Sequence, residues 1–230
     1  MYKRQVINDY FDKDFDVSVT RTKNRPLVTG AVIKREALIL FFVLITISAT
    51  LLFWMNLLTF YMSLVGLVLA TIYPLSKRFF SIPQVFLGLA FSWGIIMVSS
   101  AEMNEVTGIA LLLFTSCFFW ILAYDTAYAL CDKADDLGIG INSSAIIFGD
   151  KVIFFFYSFH LISLLILLAV AYQLNFHISF YLFASIGLFL ATYQVFLIKE
   201  EDTEKCLKAF KNNNWLGLAI LIGSITGVSL

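Results

Sequence analysis

The 230-residue chain is 60% hydrophobic, carries charge on only 14% of its residues and has a mean hydropathy of +0.86. Soluble domains are nearer a quarter charged, so this composition excludes a soluble globular protein and points to a polytopic membrane protein. Net charge is zero, which gives no electrostatic footprint for nucleic acid. The three cysteines (Cys117, Cys131, Cys206) lack metal-type spacing, and an odd number argues against a disulfide framework.

Residues 1–7 are too short and too charged to be a membrane span or a signal peptide. They lead into Asn8-Asp9-Tyr10-Phe11-Asp12-Lys13-Asp14-Phe15-Asp16. Asn8, Asp12 and Asp16 are each four apart, so a helix aligns them on one face, with Asp9 beside them. Like charges at that spacing repel, so the face calls for a neutralising partner. A solvated helix end is the plain structural reading. A basic segment follows, Arg21-Thr22-Lys23-Asn24-Arg25-Pro26, and Pro26 with Gly30 marks it as a loop.

Seven apolar runs come next, at roughly 37–54, 57–75, 84–100, 107–131, 152–173, 177–198 and 214–230. Most approach the ~20 residues that cross a bilayer. The links at 55–56, 101–106 and 174–176 contain no Lys or Arg, so all 16 cations fall on the other side. The positive-inside rule makes that side cytoplasmic. The fold expected is an all-α, polytopic transmembrane helical bundle.

The fourth run closes with Tyr124-Asp125-Thr126-Ala127-Tyr128, then Asp132, Lys133, Asp135 and Asp136. Asp125, Asp132 and Asp136 are seven and four apart and share a helix face with Tyr128. Carboxylates at a span's end are costly unless a cation, a partner charge or water receives them. Both acidic clusters and the cations Lys77 and Arg78 meet at one membrane face. His160 and His177 lie far from them in sequence and are expected not to be ligands. Magnesium takes hard oxygen ligands shared between protein and phosphate, and Arg and Lys suit the remaining phosphate oxygens. The arrangement fits a prenyl diphosphate, its head at the surface and its tail among the helices. A transporter vestibule with a cation-binding acidic ring is the alternative.

These segments resemble the UbiA superfamily of intramembrane prenyltransferases. The residues carrying the likeness are Asn8-Asp9-x-x-Asp12-x-x-x-Asp16, Arg21-Thr22-x-Asn24-Arg25-Pro26-Leu27, Tyr73-Pro74-x-x-Lys77-Arg78 and Pro83-Gln84. Tyr124-Asp125-Thr126-x-Tyr128, Asp132-x-x-Asp135-Asp136, Ile139-Gly140-Ile141-x-Ser143 and Lys208-Ala209-Phe210-x-Asn212-Asn213-Asn214 complete it. The Tyr-Asp-Thr block and the Asn-Asn-Asn loop are most similar to the branch acting on 4-hydroxybenzoate in ubiquinone biosynthesis.

The resemblance implies one prenyltransferase domain over residues 1–230, with about seven helices of a nine-helix family fold; the first helix and most of the second are expected to be absent. It implies an enzyme of the bacterial inner membrane, its active site facing the cytoplasm, that joins a polyprenyl diphosphate to 4-hydroxybenzoate with Mg²⁺. No obligate protein partner is implied. Asn8, Asp12, Asp16, Asp132 and Asp136 are the implied metal ligands. Arg21, Lys23, Arg78 and Lys133 are the implied diphosphate contacts, and Arg78 and Tyr124 the acceptor contacts. Asp12, Asp132, Arg78 and Asp125 are the implied catalytic set. Other acceptors within the family, a haem, a homogentisate or a chlorophyll precursor, stay open. Ala134 stands where relatives can carry a further acidic residue, while Asp132 and Asp136 keep the aligned pair.

Overall fold

The computed structural model describes residues 2–17, 22–76 and 79–229, with the side chains of residues 2–5, 14–16, 139 and 229 left out. Among the described residues every regular element is helical. In chain order these are α1 (Tyr2–Asp16), α2 (Pro26–Thr29), α3 (Lys34–Thr50), α4 (Leu57–Ser76) and α5 (Gln84–Met103). Then come α6 (Gly108–Ile139), α7 (Ser144–Phe148), α8 (Val152–Gln173), α9 (Ile178–Ile198) and α10 (Thr203–Ser229). Short 3₁₀ turns follow α3 and precede α8.

Among the described residues each of the seven apolar runs lies on a helix, but six of the helices are long and apolar enough to cross a membrane. These are the helices of a multi-pass membrane protein. The run expected at 214–230 is the second half of α10, a 27-residue helix that begins eleven residues earlier, at Thr203. Lys205, Lys208, Lys211 and Asn212–Asn214 dilute its hydropathy. Asn213 is nonetheless buried, at 8% exposure, because its partners are inside the bundle.

The fourth run corresponds to α6, which continues past residue 131 to Ile139. Its 32 residues span about 48 Å at 1.5 Å each, well beyond the ~30 Å hydrocarbon core. The acidic stretch is therefore a helical extension past the bilayer, with Asp125 nearest the membrane. Gly140, at φ +71°, accepts the left-handed turn that ends α6, and the N–H groups of Gly140 and Ile141 bond back to the Asp136 carbonyl.

Packing runs from α4 to α5, α5 to α6, α6 to α8, α8 to α9 and α9 to α10, and α10 returns to α6. α6 is thus the centre of the C-terminal half. α1 rests on α2, α3 and α4. Contacts between spans use small residues and internal hydrogen bonds, as hydrocarbon surroundings require. A Cβ on Gly88 would lie 2.8 Å from the Phe118 ring, and one on Gly223 2.8 Å from Phe183 Cβ. Ser116 Oγ donates to the Ser163 carbonyl at 2.9 Å, and Asn56 Nδ2 to the Ser100 carbonyl at 2.6 Å.

Candidate active site

Chain reversal at each link carries the end of α1 and the end of α6 to the same, cation-rich end of the bundle. On α1 the helical backbone gives Asn8, Asp12 and Asp16 their shared face. Asp12 is buried, at 3% exposure. One turn earlier, the Asn8 Oδ1 atom is buried and has no hydrogen-bond partner among the described residues. A buried hard oxygen without a donor costs free energy, and a cation beside it removes that cost. Asp9 is instead engaged by Arg25, Nη1 to Oδ1 at 2.8 Å. The Arg25 backbone shapes the loop too: its N–H donates to the Thr22 carbonyl, and its carbonyl accepts from Val28 and Thr29. Lys34 Nζ lies 5.6 Å from the centre of the Tyr10 ring. Lys23 is exposed. The candidates Arg21 and Arg78 and the Asp16 side chain lie outside the described residues.

On α6, Tyr124, Tyr128, Asp132 and Asp136 succeed one another at four-residue steps, so they form one stripe. All four side chains, and Asp125 beside them, are half-buried. Phe210 of α10 covers the aromatic part of the stripe, its ring centre 4.8 Å from Tyr128 and 5.8 Å from Tyr124. Lys133 points elsewhere, forming an ion pair with Glu201 in the link before α10. Beneath the acidic end, Thr126 Oγ1 donates to Ser144 Oγ at 2.9 Å. The Ser144 N–H donates to Gln84 Oε1 at 3.1 Å. These bonds tie α5, α6 and α7 into one support.

A second polar cluster fixes α10 against α6 and α9. Trp120 Nε1 donates to Asn213 Oδ1 at 2.9 Å, and Asn213 Nδ2 donates to Gln194 Oε1 at 3.1 Å. Gln194, fully buried, returns a bond from Nε2 to Asn212 Oδ1 at 3.1 Å. Asn213 and Phe210 are three apart on α10, so fixing one sets the other. Nearby, burial and the charges of Asp202 and Glu201 push the Cys206 thiol up to about 11, opposed by Lys133, so it is no nucleophile near neutral pH. His177 caps α9 at the opposite end.

Sequence reasoning gave no role to Arg25, Phe210, Asn213 or Gln194. Arg25 and Phe210 each follow a readable signal, a cation before Pro26 and an aromatic in a polar helix start. The Trp120–Asn213 bond spans 93 positions, which no local pattern reveals. Among the described residues, no three His, Cys, Asp or Glu side chains come together to hold a metal ion unaided.

Residues 5–218 match the UbiA prenyltransferase family. The chain is 43% identical to a 4-hydroxybenzoate octaprenyltransferase of Photobacterium profundum, over 98% of this chain and 78% of that protein. It is 46% identical to a protein of the same name from Aeromonas hydrophila, over 96% and 77%. Among solved structures, the apo structure of a UbiA homolog from Aeropyrum pernix K1 superposes with a TM-score of 0.83 at 22% identity, over 97% of this chain and 83% of that one. A UbiA homolog from Archaeoglobus fulgidus bound to GPP and Mg²⁺ superposes with a TM-score of 0.71 at 18% identity, over 97% and 82%. At these identities the two structures establish the fold.

Proposed function

The chain belongs to the UbiA prenyltransferase family, and we propose that it transfers a polyprenyl group from polyprenyl diphosphate to the ring carbon ortho to the hydroxyl of 4-hydroxybenzoate, a step of ubiquinone biosynthesis. The observation that carries this reading is the pairing of the α6 stripe, aromatic below and acidic above, with the acidic face of α1 at one end of the bundle. The named relatives, at 43% and 46% identity over nearly the whole chain, support the acceptor. The positive-inside rule supports a cytoplasmic active site, and the family supports a bacterial inner membrane.

The residues present fit Mg²⁺, since the buried Asn8 Oδ1 and Asp12 offer hard oxygens and the ion completes its shell with phosphate. Asn8, Asp12 and Asp16 from α1 and Asp132 and Asp136 from α6 would hold it. When bound, Mg²⁺ supplies the charge neutralisation that makes diphosphate a good leaving group.

Arg21, Lys23 and Arg78 bind the remaining diphosphate oxygens, and Lys133 joins them by exchanging Glu201 for phosphate. The allylic C–O bond breaks, its electron pair leaving with diphosphate. The ring carbon ortho to the phenol attacks the allylic cation, and the ring then passes the proton at that carbon to the released diphosphate. Tyr124, Tyr128 and Phe210 present aromatic faces that stabilise the cation and exclude water that would trap it as an alcohol. Arg78 holds the acceptor's carboxylate. Asp125, the carboxylate nearest the membrane, orients the phenol by accepting its proton in a hydrogen bond.

The test is product formation in nanodiscs with Mg²⁺, a long-chain prenyl diphosphate and radiolabelled 4-hydroxybenzoate. A lipid-extractable aromatic product that needs Mg²⁺ is expected. Diphosphate release with homogentisate but none with 4-hydroxybenzoate would reject the acceptor.

A further inference from the structure

On the outer surface, the cation-rich ends of α8 and α9 enclose a groove of about 360 Å³. Phe154, Tyr157, Ser158 and Leu161 line it from α8, and Thr192, Val195 and Phe196 from α9. Each set follows helix periodicity, so the groove lies between two straight rows of side chains. The hollow arises because Ser158 and Thr192 are short, while Phe154 and Phe196 stand 67% and 69% exposed beside them. Tyr157 Oη and Thr192 Oγ1 meet at 3.3 Å, which satisfies both hydroxyls and leaves an apolar lining. Both helices are long and apolar enough to cross the membrane, so the groove opens onto lipid.

A lysine stands just outside each row at the same end, Lys151 in the turn before α8. Lys199 is three residues beyond Phe196, and Lys151 is three before Phe154. Both are exposed, and neither has an ion pair among the described residues. Of the carboxylates after Lys199, Glu200 pairs with Lys205, Glu201 pairs with Lys133, and Asp202 accepts the Lys205 N–H. Asp150 beside Lys151 is the opposing charge.

We propose that this groove binds an anionic phospholipid, one acyl chain between α8 and α9 and the headgroup phosphate on Lys151 and Lys199. A zwitterionic lipid fits the same hollow but brings its own cation toward two ammonium groups. Basic residues at a membrane surface attract anionic headgroups, and a groove that seats the chain adds position to that attraction. The site depends only on the membrane crossing of α8 and α9, not on the reaction.

Native mass spectrometry of the whole protein with phosphatidylglycerol and phosphatidylcholine of identical acyl chains tests this. The expected result is preferential retention of phosphatidylglycerol. Lys151→Gln and Lys199→Gln should each lower that preference about five-fold, and Asp150→Asn should raise it. Ser158→Phe, which fills the hollow, should lower retention with both lysines in place. The lysine variants change only surface charge, so they decide the matter even if Ser158→Phe fails to fold. Equal retention of the two lipids, or a preference that survives loss of both lysines, would overturn the proposal. So would displacement of phosphatidylglycerol by farnesyl diphosphate, which assigns the groove to the prenyl donor. A protein dimer that excludes lipid would assign it to a second copy and overturn it equally.

Discussion

The two acidic helices stand in unlike surroundings. α6 is enclosed by α5, α7, α8 and α10, and its stripe is backed by Phe210 and by the Trp120–Asn213–Gln194 bonds. α1 rests on α3 and α4, whose membrane windows are only 11% buried, against 28% for α6 and 44% for α5. One side of the site is therefore set by packing before any ligand arrives. On the other side α1 packs on α3 and α4, and Asp9 is clipped to Arg25.

The largest effect should come from the acidic faces themselves. Asp132→Ala on the rigid side should lower kcat/KM about 10²- to 10³-fold, the usual loss when one group stabilising developing charge is removed. Steady-state kinetics with saturating Mg²⁺ measures it, and activity within a few-fold of the parent would detach the α6 stripe from the chemistry.

Next in size is the packing that makes the α6 side rigid. Gly88→Ala places a methyl group 2.8 Å from the Phe118 ring and should cost about 1–3 kcal/mol, read as a lower unfolding midpoint in detergent. Phe42→Ala on α3, where the ring is 61% exposed, should change stability by less than about 0.5 kcal/mol. Equal losses would erase the contrast between the halves.

Asn213→Leu removes the bonds to Trp120 and Gln194 and should cost about 1 kcal/mol, the scale of a hydrogen bond between membrane helices. Through Phe210, placed on the allylic cation, it should also lower kcat more than it raises KM for either substrate. On the α1 side, Arg25→Ala breaks a partly exposed pair and should cost about 0.5 kcal/mol or less, with added salt shrinking the difference.

A last effect is confined to alkaline pH and concerns Cys206. Its thiol sits at about 11 in the fold against an ordinary 9.0, so the unfolded chain ionises first. Its contribution to stability is fully present below pH 9 and is lost as pH rises toward 11. Cys206→Ser should flatten the alkaline fall in the unfolding midpoint between those values.

Much of the fold was legible because hydropathy and charge alternation are strong signals in a bilayer. The α6 stripe was legible because Asp125, Asp132 and Asp136 declare a helix face by spacing alone. α10 was read short because hydropathy counts Asn212–Asn214 as outward, whereas Asn213 is buried by partners on α6 and α9. For the same reason Phe210 went unassigned: periodicity tells which residues share a face, not which helix covers it. Lys133 was given to diphosphate by the family resemblance, and spacing could not show its pairing with Glu201 across 68 positions.

The central claim is that the α1 and α6 carboxylates grip one diphosphate together. A double-mutant cycle on Mg²⁺-dependent diphosphate release, with Asp12→Asn, Asp132→Asn and the pair combined, tests it most directly. Groups that act as a unit are strongly non-additive, so the double variant should lose little more than the worse single one. Losses that multiply, or a single variant without effect, would contradict a shared site.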